Sequence, residues 1–189
     1  VFIGRQGKHQ ISPRVQEFVA KEEQNRIYDE NTLKEFTARV ADNKKKLLNL
    51  LMELRNQGKR IVGVSAPAKG NTLLNYCKID SLDYITEKST LKIGKYSPGM
   101  HIPIVPDEKL LEDKPDYALL LAWNFAEEIM NNLQEFTNSG GKFIIPIPEP
   151  RIVGGNKMKH VEIHKVTPAH TDERGSISDI IEDENILHT

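Results

Sequence analysis

Arg60-Ile61-Val62-Gly63-Val64-Ser65-Ala66-Pro67-Ala68-Lys69-Gly70-Asn71-Thr72 decides the fold of this chain. Ile61 to Val64 is a short β-branched apolar run, the mark of a strand buried on both faces. Ser65 to Gly70 reads as a turn, and a helix follows from about Asn71 to Tyr76. A strand, a short turn and a helix in that order open a βαβ unit, which calls for a parallel sheet with helices on its faces.

The same texture continues toward the carboxyl terminus. Leu82–Thr86 reads as a second strand, and Ile102–Val105 as a third whose prolines place it at an edge. A short helix is expected over 107–113. Tyr117–Ala122, apolar on both faces, is expected at the centre of the sheet. Asn124 suits the N-cap of a helix from Phe125 to Asn138, Gly140-Gly141 ends it, and Lys142–Ile147 is the last strand. The expectation is an α/β fold: a Rossmann-like, doubly wound, parallel five-stranded sheet ordered 3-2-1-4-5.

Toward the amino terminus, Gly58 suits the position just past a long helix over about Thr32–Gln57, capped by Asn31 or Thr32. Leu33, Phe36, Val40, Leu47, Leu50, Leu51 and Leu54 recur along it at helical spacing. Ser12-Pro13 opens an earlier helix with Val15, Phe18 and Val19 on one face. Val1-Phe2-Ile3 reads as the end of a strand begun in missing sequence, and residues 4–12 as a linker. Residues 149–189 are polar, with strand-like runs only at His160–Val166 and Ser176–Ile181. The chain therefore divides into 1–12, a domain over 13–150, and an extended tail over 151–189 that reads as a linker and the start of another domain. The whole reads as a fragment.

Composition narrows the function classes. A formal net charge of -1 points to no nucleic acid and no acidic membrane as partner. No apolar run reaches the roughly 18 residues of a membrane span. Cys77 is the single cysteine, so no intrachain disulfide is available and a reducing cytoplasm is expected.

In an open parallel sheet, ligands sit at the carboxyl ends of the strands, where strand order reverses. Here that is the turn Ser65–Thr72. A helix opening there offers free N–H groups to an anion, Lys69 adds charge, and Gly70 permits close approach. A phosphate or pyrophosphate is the matched guest. The candidate substrate-binding residues are Ser65, Pro67, Lys69, Gly70, Asn71 and Thr72 in the turn. His101 before the third strand, and Trp123 and Asn124 after the fourth, complete the set. Trp123 could stack on a base or sugar.

Gly-x-Gly-x-x-Gly is missing and Lys69 precedes Gly70, so neither the dinucleotide fingerprint nor a P-loop is present. NAD is disfavoured, and Glu87 after the second strand reads as a surface acid before a ribose ligand. His160 and His164 lie in an extended segment, more than about 12 Å apart; with His170 and Asp172 they make a poor metal site. Cys77 has no evident activating base. No catalytic residue and no metal ligand is assigned.

The run from Lys59 through Ala66-Pro67-Ala68-Lys69-Gly70-Asn71-Thr72 to Cys77 closely resembles the C-terminal domain of the deoxysugar C-methyltransferases. The likeness continues through Leu82-Asp83-Tyr84, Gly94-Lys95-Tyr96, Pro98-Gly99, His101-Ile102-Pro103-Ile104, Pro115-Asp116-Tyr117, Ala122-Trp123-Asn124 and Gly140-Gly141-Lys142-Phe143, covering roughly residues 1–150. The sequence departs from the family in Ser65, where many relatives carry Gly, and in Glu87, where many carry Asp.

The resemblance implies an S-adenosylmethionine-dependent parent that methylates C3 of a nucleotide-linked keto-sugar. It implies a zinc-binding domain, a middle domain that binds the methyl donor and holds the catalytic residues, and this domain, which helps hold the nucleotide sugar. No cofactor is then expected in this fragment, which alone would be inactive. The partners would be the nucleotide-linked sugar and the missing domains. The alternative is a non-catalytic nucleotide-binding or scaffold module. Asp172-Glu173-Arg174-Gly175-Ser176-Ile177 resembles the opening strand of cupin-type sugar isomerases and epimerases, which implies a fused cupin.

Overall fold

The computed structural model describes residues 3–154, 170–172 and 175–177. The chain separates into two compact units, Val1–Gly155 and Asn156–Thr189.

In the first unit, α1 (Pro13–Gln24) begins where Ser12 accepts a hydrogen bond from the Arg14 N–H at 3.4 Å. It buries no residue, so the face carrying Val15 and Phe18 is exposed. The next helix, α2 (Glu30–Asn56), starts earlier than Asn31 or Thr32 would allow as caps. Asp29 is the cap, its carboxylate accepting from the N–H groups of Asn31 and Thr32. A carboxylate at a helix start also meets the positive end of the dipole, which favours it over a neutral cap. Only the second half of the apolar stripe is covered: Leu47, Leu51 and Leu54 are buried, while Leu33 and Phe36 are exposed. Gly58 adopts φ 75° just past the helix, a left-handed conformation that costs glycine little.

The sheet contains β1 (Ile61–Val64), β2 (Ile85–Glu87), β3 (Ile104–Pro106), β4 (Tyr117–Leu120), β5 (Lys142–Ile145) and β6 (Arg151–Val153). Their order is β3-β2-β1-β4-β5-β6. The first five run parallel in the expected order. The sheet is nevertheless six-stranded and mixed, which corrects the five-stranded, all-parallel expectation. Residues 151–153, expected to open the tail, return antiparallel along β5 with Phe143 opposite Val153. The polar, proline-flanked run hid a short edge strand, since an edge strand needs only one side of its backbone paired.

Helices cover both faces. On one, Leu47, Leu51 and Leu54 of α2 and Leu73, Leu74 and Cys77 of α3 (Ala68–Cys77) pack on Ile61, Leu119 and Ile144. On the other, Leu110 of α4 (Glu108–Asp113), Ala126 and Met130 of α5 (Ala126–Asn132) and Phe136 of α6 (Gln134–Asn138) pack on Val62, Leu120 and Phe143. The single helix expected over 125–138 is thus broken. Met130 and Phe136 are both buried, yet six residues at about 100° each place them about 120° apart around a continuous helix. A break at Leu133 lets both face the sheet. Asn124 is not a helix cap: it lies within a 3₁₀ turn over Trp123–Phe125, and its side chain makes no capping bond.

The second unit contains a hairpin of β7 (His170–Asp172) and β8 (Gly175–Ile177). The run His160–Val166, the remainder of Ser176–Ile181, and Val1 and Phe2 lie outside the described residues. No helix among the described residues is long and apolar enough to cross a membrane.

Candidate functional site

The turn after β1 is held by an acid at the end of β2. Ser65 adopts φ 67° and its N–H donates to the Thr86 carbonyl at 2.9 Å, which swings the chain away from the strand. The Ala66 N–H then donates to Glu87 Oε2 at 3.0 Å. Lys92 Nζ bridges the same oxygen and the Ala66 carbonyl, each at 3.0 Å. Glu87 Oε1 accepts from the N–H groups of Lys88 and Ser89. Glu87 is therefore neither a free surface acid nor a carboxylate available to a ribose; four donors use both its oxygens.

Burial pushes the Glu87 carboxyl upward, but the Lys92 ammonium and the N–H groups of Ser89 and Ala66 outweigh it and hold the group below the usual glutamate range. A carboxyl depressed on folding stabilises the fold above its unfolded value, near 4.5, and that contribution is lost as pH falls through the lower folded value. Glu87→Gln should cost about 1–3 kcal/mol at pH 7, since charge-assisted bonds to a half-buried turn are lost. The gap from the wild type should narrow as pH falls through that lowered folded value and close below it, where both side chains are neutral. Urea unfolding of both proteins over an acid pH series starting from pH 7 measures this.

Helix α3 starts at Ala68, directly after Pro67, and not at Asn71 as expected. Pro67 fixes the entry angle and supplies no side-chain cap. The first intrahelical bond is from the Asn71 N–H to the Pro67 carbonyl, at 3.0 Å. The N–H groups of Ala68, Lys69 and Gly70 consequently have no acceptor within the helix. Gly70 is buried; a Cβ there would lie 2.6 Å from Leu121 Cβ and 3.0 Å from the Leu121 carbonyl oxygen. Its missing side chain serves the close seating of α3 on the end of β4. Thr72 donates its hydroxyl to the Ala68 carbonyl at 3.2 Å, and the Asn71 side chain accepts from Asn75 at 3.3 Å.

Lys69 spans the crevice where strand order reverses. Its ammonium lies 5.2 Å from the centroid of Trp123 and 5.3 Å from that of Phe125, within cation–π range of both rings. The structure thus brings the turn and Trp123 together, and adds Phe125, which the sequence reading assigned only to a helix. Asn124 is exposed beside them.

His101 is placed elsewhere. It sits at φ 54°, exposed, in the tight turn that joins 95–97 to 102–104. It precedes β3 and so belongs to the amino-terminal end of the parallel strands. The neighbouring Pro98 carbonyl accepts from Asn75, near the end of α3, whereas Lys69 lies in that helix's first turn.

Two hollows flank the crevice. One of about 280 Å³ lies over Val64, Ser65, Glu87, Asp107, Phe125 and Glu128. The other, of about 510 Å³, lies between α5 and β6 and includes Trp123, Asn124 and Arg151. Among the described residues, no three His, Cys, Asp or Glu side chains converge as a metal site would require.

The sequence model of the C-methyltransferase C-terminal domain matches residues 1–148. The C-methyltransferase NovU of Streptomyces niveus is 40% identical over 147 residues, which cover 77% of this chain and 35% of that protein. The chain therefore spans about a third of that relative's length. Matched over most of its residues, the chain belongs to the C-methyltransferase C-terminal domain family.

Proposed function

We propose that this domain works within an S-adenosylmethionine-dependent C-methyltransferase acting on a nucleotide-linked keto-deoxysugar, and that it binds and orients the sugar nucleotide. The observation that carries this reading is Lys69. It stands in the first turn of a helix with free N–H groups and is pinned between two aromatic rings across the crevice. A pyrophosphate would meet the ammonium and the helix start together, and Trp123 offers a face to a ring. The strand order and two-sided helix cover support a Rossmann-like, doubly wound kinship for the first five strands.

The described residues of this chain do not fit the methyl donor. The acid that would take its ribose, Glu87, is already saturated. The donor and the proton abstraction beside the ketone belong, in this reading, to the remainder of the parent. A pure scaffold role is the second reading; it is favoured by the internal capture of the Ala66 N–H, which removes one donor from any ligand.

Methyl-transfer assays separate the cases. This chain by itself should transfer no methyl group. In an enzyme carrying the domain, Lys69→Ala should raise KM for the sugar nucleotide about tenfold or more with kcat largely kept, the sign of lost uniform binding. Methyl transfer by the chain alone, or an unchanged KM, would contradict the proposal.

A further inference from the structure

The hollow of about 280 Å³ has a lining that differs in kind from the Lys69 side of the crevice. Its floor is apolar, formed by Val64, Ala122, Phe125 and Ile129, which close the ends of β1 and β4 and one side of α5. Its rim carries the carboxylates of Glu87, Asp107 and Glu128 against one lining cation, Lys88. Glu87 is consumed by the turn, but Asp107 and Glu128 have no ion pair among the described residues. Asp107 is partly desolvated. The Thr86 hydroxyl beside it is fully buried and, although close enough to favour the carboxylate, does not reach hydrogen-bonding geometry with it. Two acceptors without an ion pair thus face the hollow, beside the donors of Ser65, Lys88 and Asn132.

That lining rejects a phosphate, because the surplus of negative charge repels it. An apolar floor adds nothing to the binding of a bare cation. It suits a ring with C–H groups on one face and hydroxyls at its edge: the C–H face covers the floor while the hydroxyls donate to the carboxylates. The volume lies at the small end for ligand pockets, about 300–1,000 Å³, and fits one ring better than a whole sugar nucleotide.

We propose that the hollow over β1 and β4 holds an uncharged hydroxyl-bearing ring, a pyranose or a ribose, with Asp107 and Glu128 accepting from its hydroxyls. The inference rests on the Lys69 reading, with the phosphates of the same ligand on the other side of Phe125, which touches both. Separating the charged and uncharged parts of one ligand across one ring is what the two linings permit.

Calorimetric titration of the chain with UDP and with UDP-glucose tests this. Asp107→Ala and, because it lies on an exposed helical face and leaves the fold intact, Glu128→Ala are the variants; thermal unfolding checks that each is folded. If the pyranose occupies the hollow, both variants weaken UDP-glucose about tenfold, as for loss of a charge-assisted bond, and leave UDP unchanged. If the ribose occupies it, both probes weaken alike. Folded variants that bind both probes as the wild type does would overturn the proposal while leaving the Lys69 reading in place. Failure of the wild type to bind either probe would overturn both.

Discussion

Phe143→Ala should lower the unfolding free energy by about 3–5 kcal/mol, the range for truncating a fully buried phenylalanine. Phe143 is fully buried in β5, paired with Ala118 on one side and Val153 on the other. Its ring meets Phe136 edge-on, with centroids 5.2 Å apart and planes at 65°. Phe136 is the residue the break at Leu133 turns inward, and its ring fills the space a Cβ on Gly141 would take, 2.2 Å from Cε2. With Gly141 and Phe136 locked together, little is free to collapse into the void, which places the cost toward the upper end of the range. Phe143→Leu keeps most of the volume and should cost less than about 1.5–2 kcal/mol. Urea unfolding with an unchanged m value measures both. A loss below about 1 kcal/mol for Phe143→Ala would mean that α6 does not hold this face of the sheet.

The fold was legible where burial is two-sided. Ile61–Val64 and Tyr117–Leu120 are apolar at every position because both faces are covered, and such runs announce themselves as central strands. Legibility failed where tertiary contacts override local pattern. β6 has only Ile152 and Val153 to mark it and owes its existence to pairing with β5. The helix over 125–138 shows a helical pattern in sequence, yet breaks because Met130 and Phe136 must both be buried. Nothing in residues 29–32 alone decides that Asp29 caps α2 in place of its neighbours.

The candidate site was legible in part for the same reason. The turn and Trp123 follow strands that end at one edge of a parallel sheet, so their meeting follows from topology alone. His101 precedes its strand, and that ordering already puts it at the other end. Glu87 could not be read: a carboxylate three residues past Tyr84 looks the same whether it faces solvent or collects four donors. The partnership of Lys69 with Phe125 depends on the 3₁₀ turn over Trp123–Phe125, which no local signal specifies.

Lys69→Ala should weaken the binding of a nucleoside diphosphate by about tenfold to a hundredfold. The physical reason is the loss of the one ammonium pinned at the start of α3. A charge-assisted bond to phosphate contributes about 1.5–3 kcal/mol net, and each 1.4 kcal/mol is tenfold in affinity. The two rings hold Lys69 in place before a ligand arrives, which reduces the side-chain entropy lost on binding. The contribution is electrostatic, so wild-type affinity should fall as salt rises, and the salt dependence should be shallower in the variant. Fold stability should change little, because Lys69 is only half-buried and makes no ion pair among the described residues. Calorimetric titration of UDP into the wild-type chain and into Lys69→Ala at low and moderate salt is the direct measurement. Saturable, salt-sensitive binding by the wild type that drops at least tenfold in Lys69→Ala is the predicted result; no wild-type binding, or equal affinity in the two proteins, would contradict it.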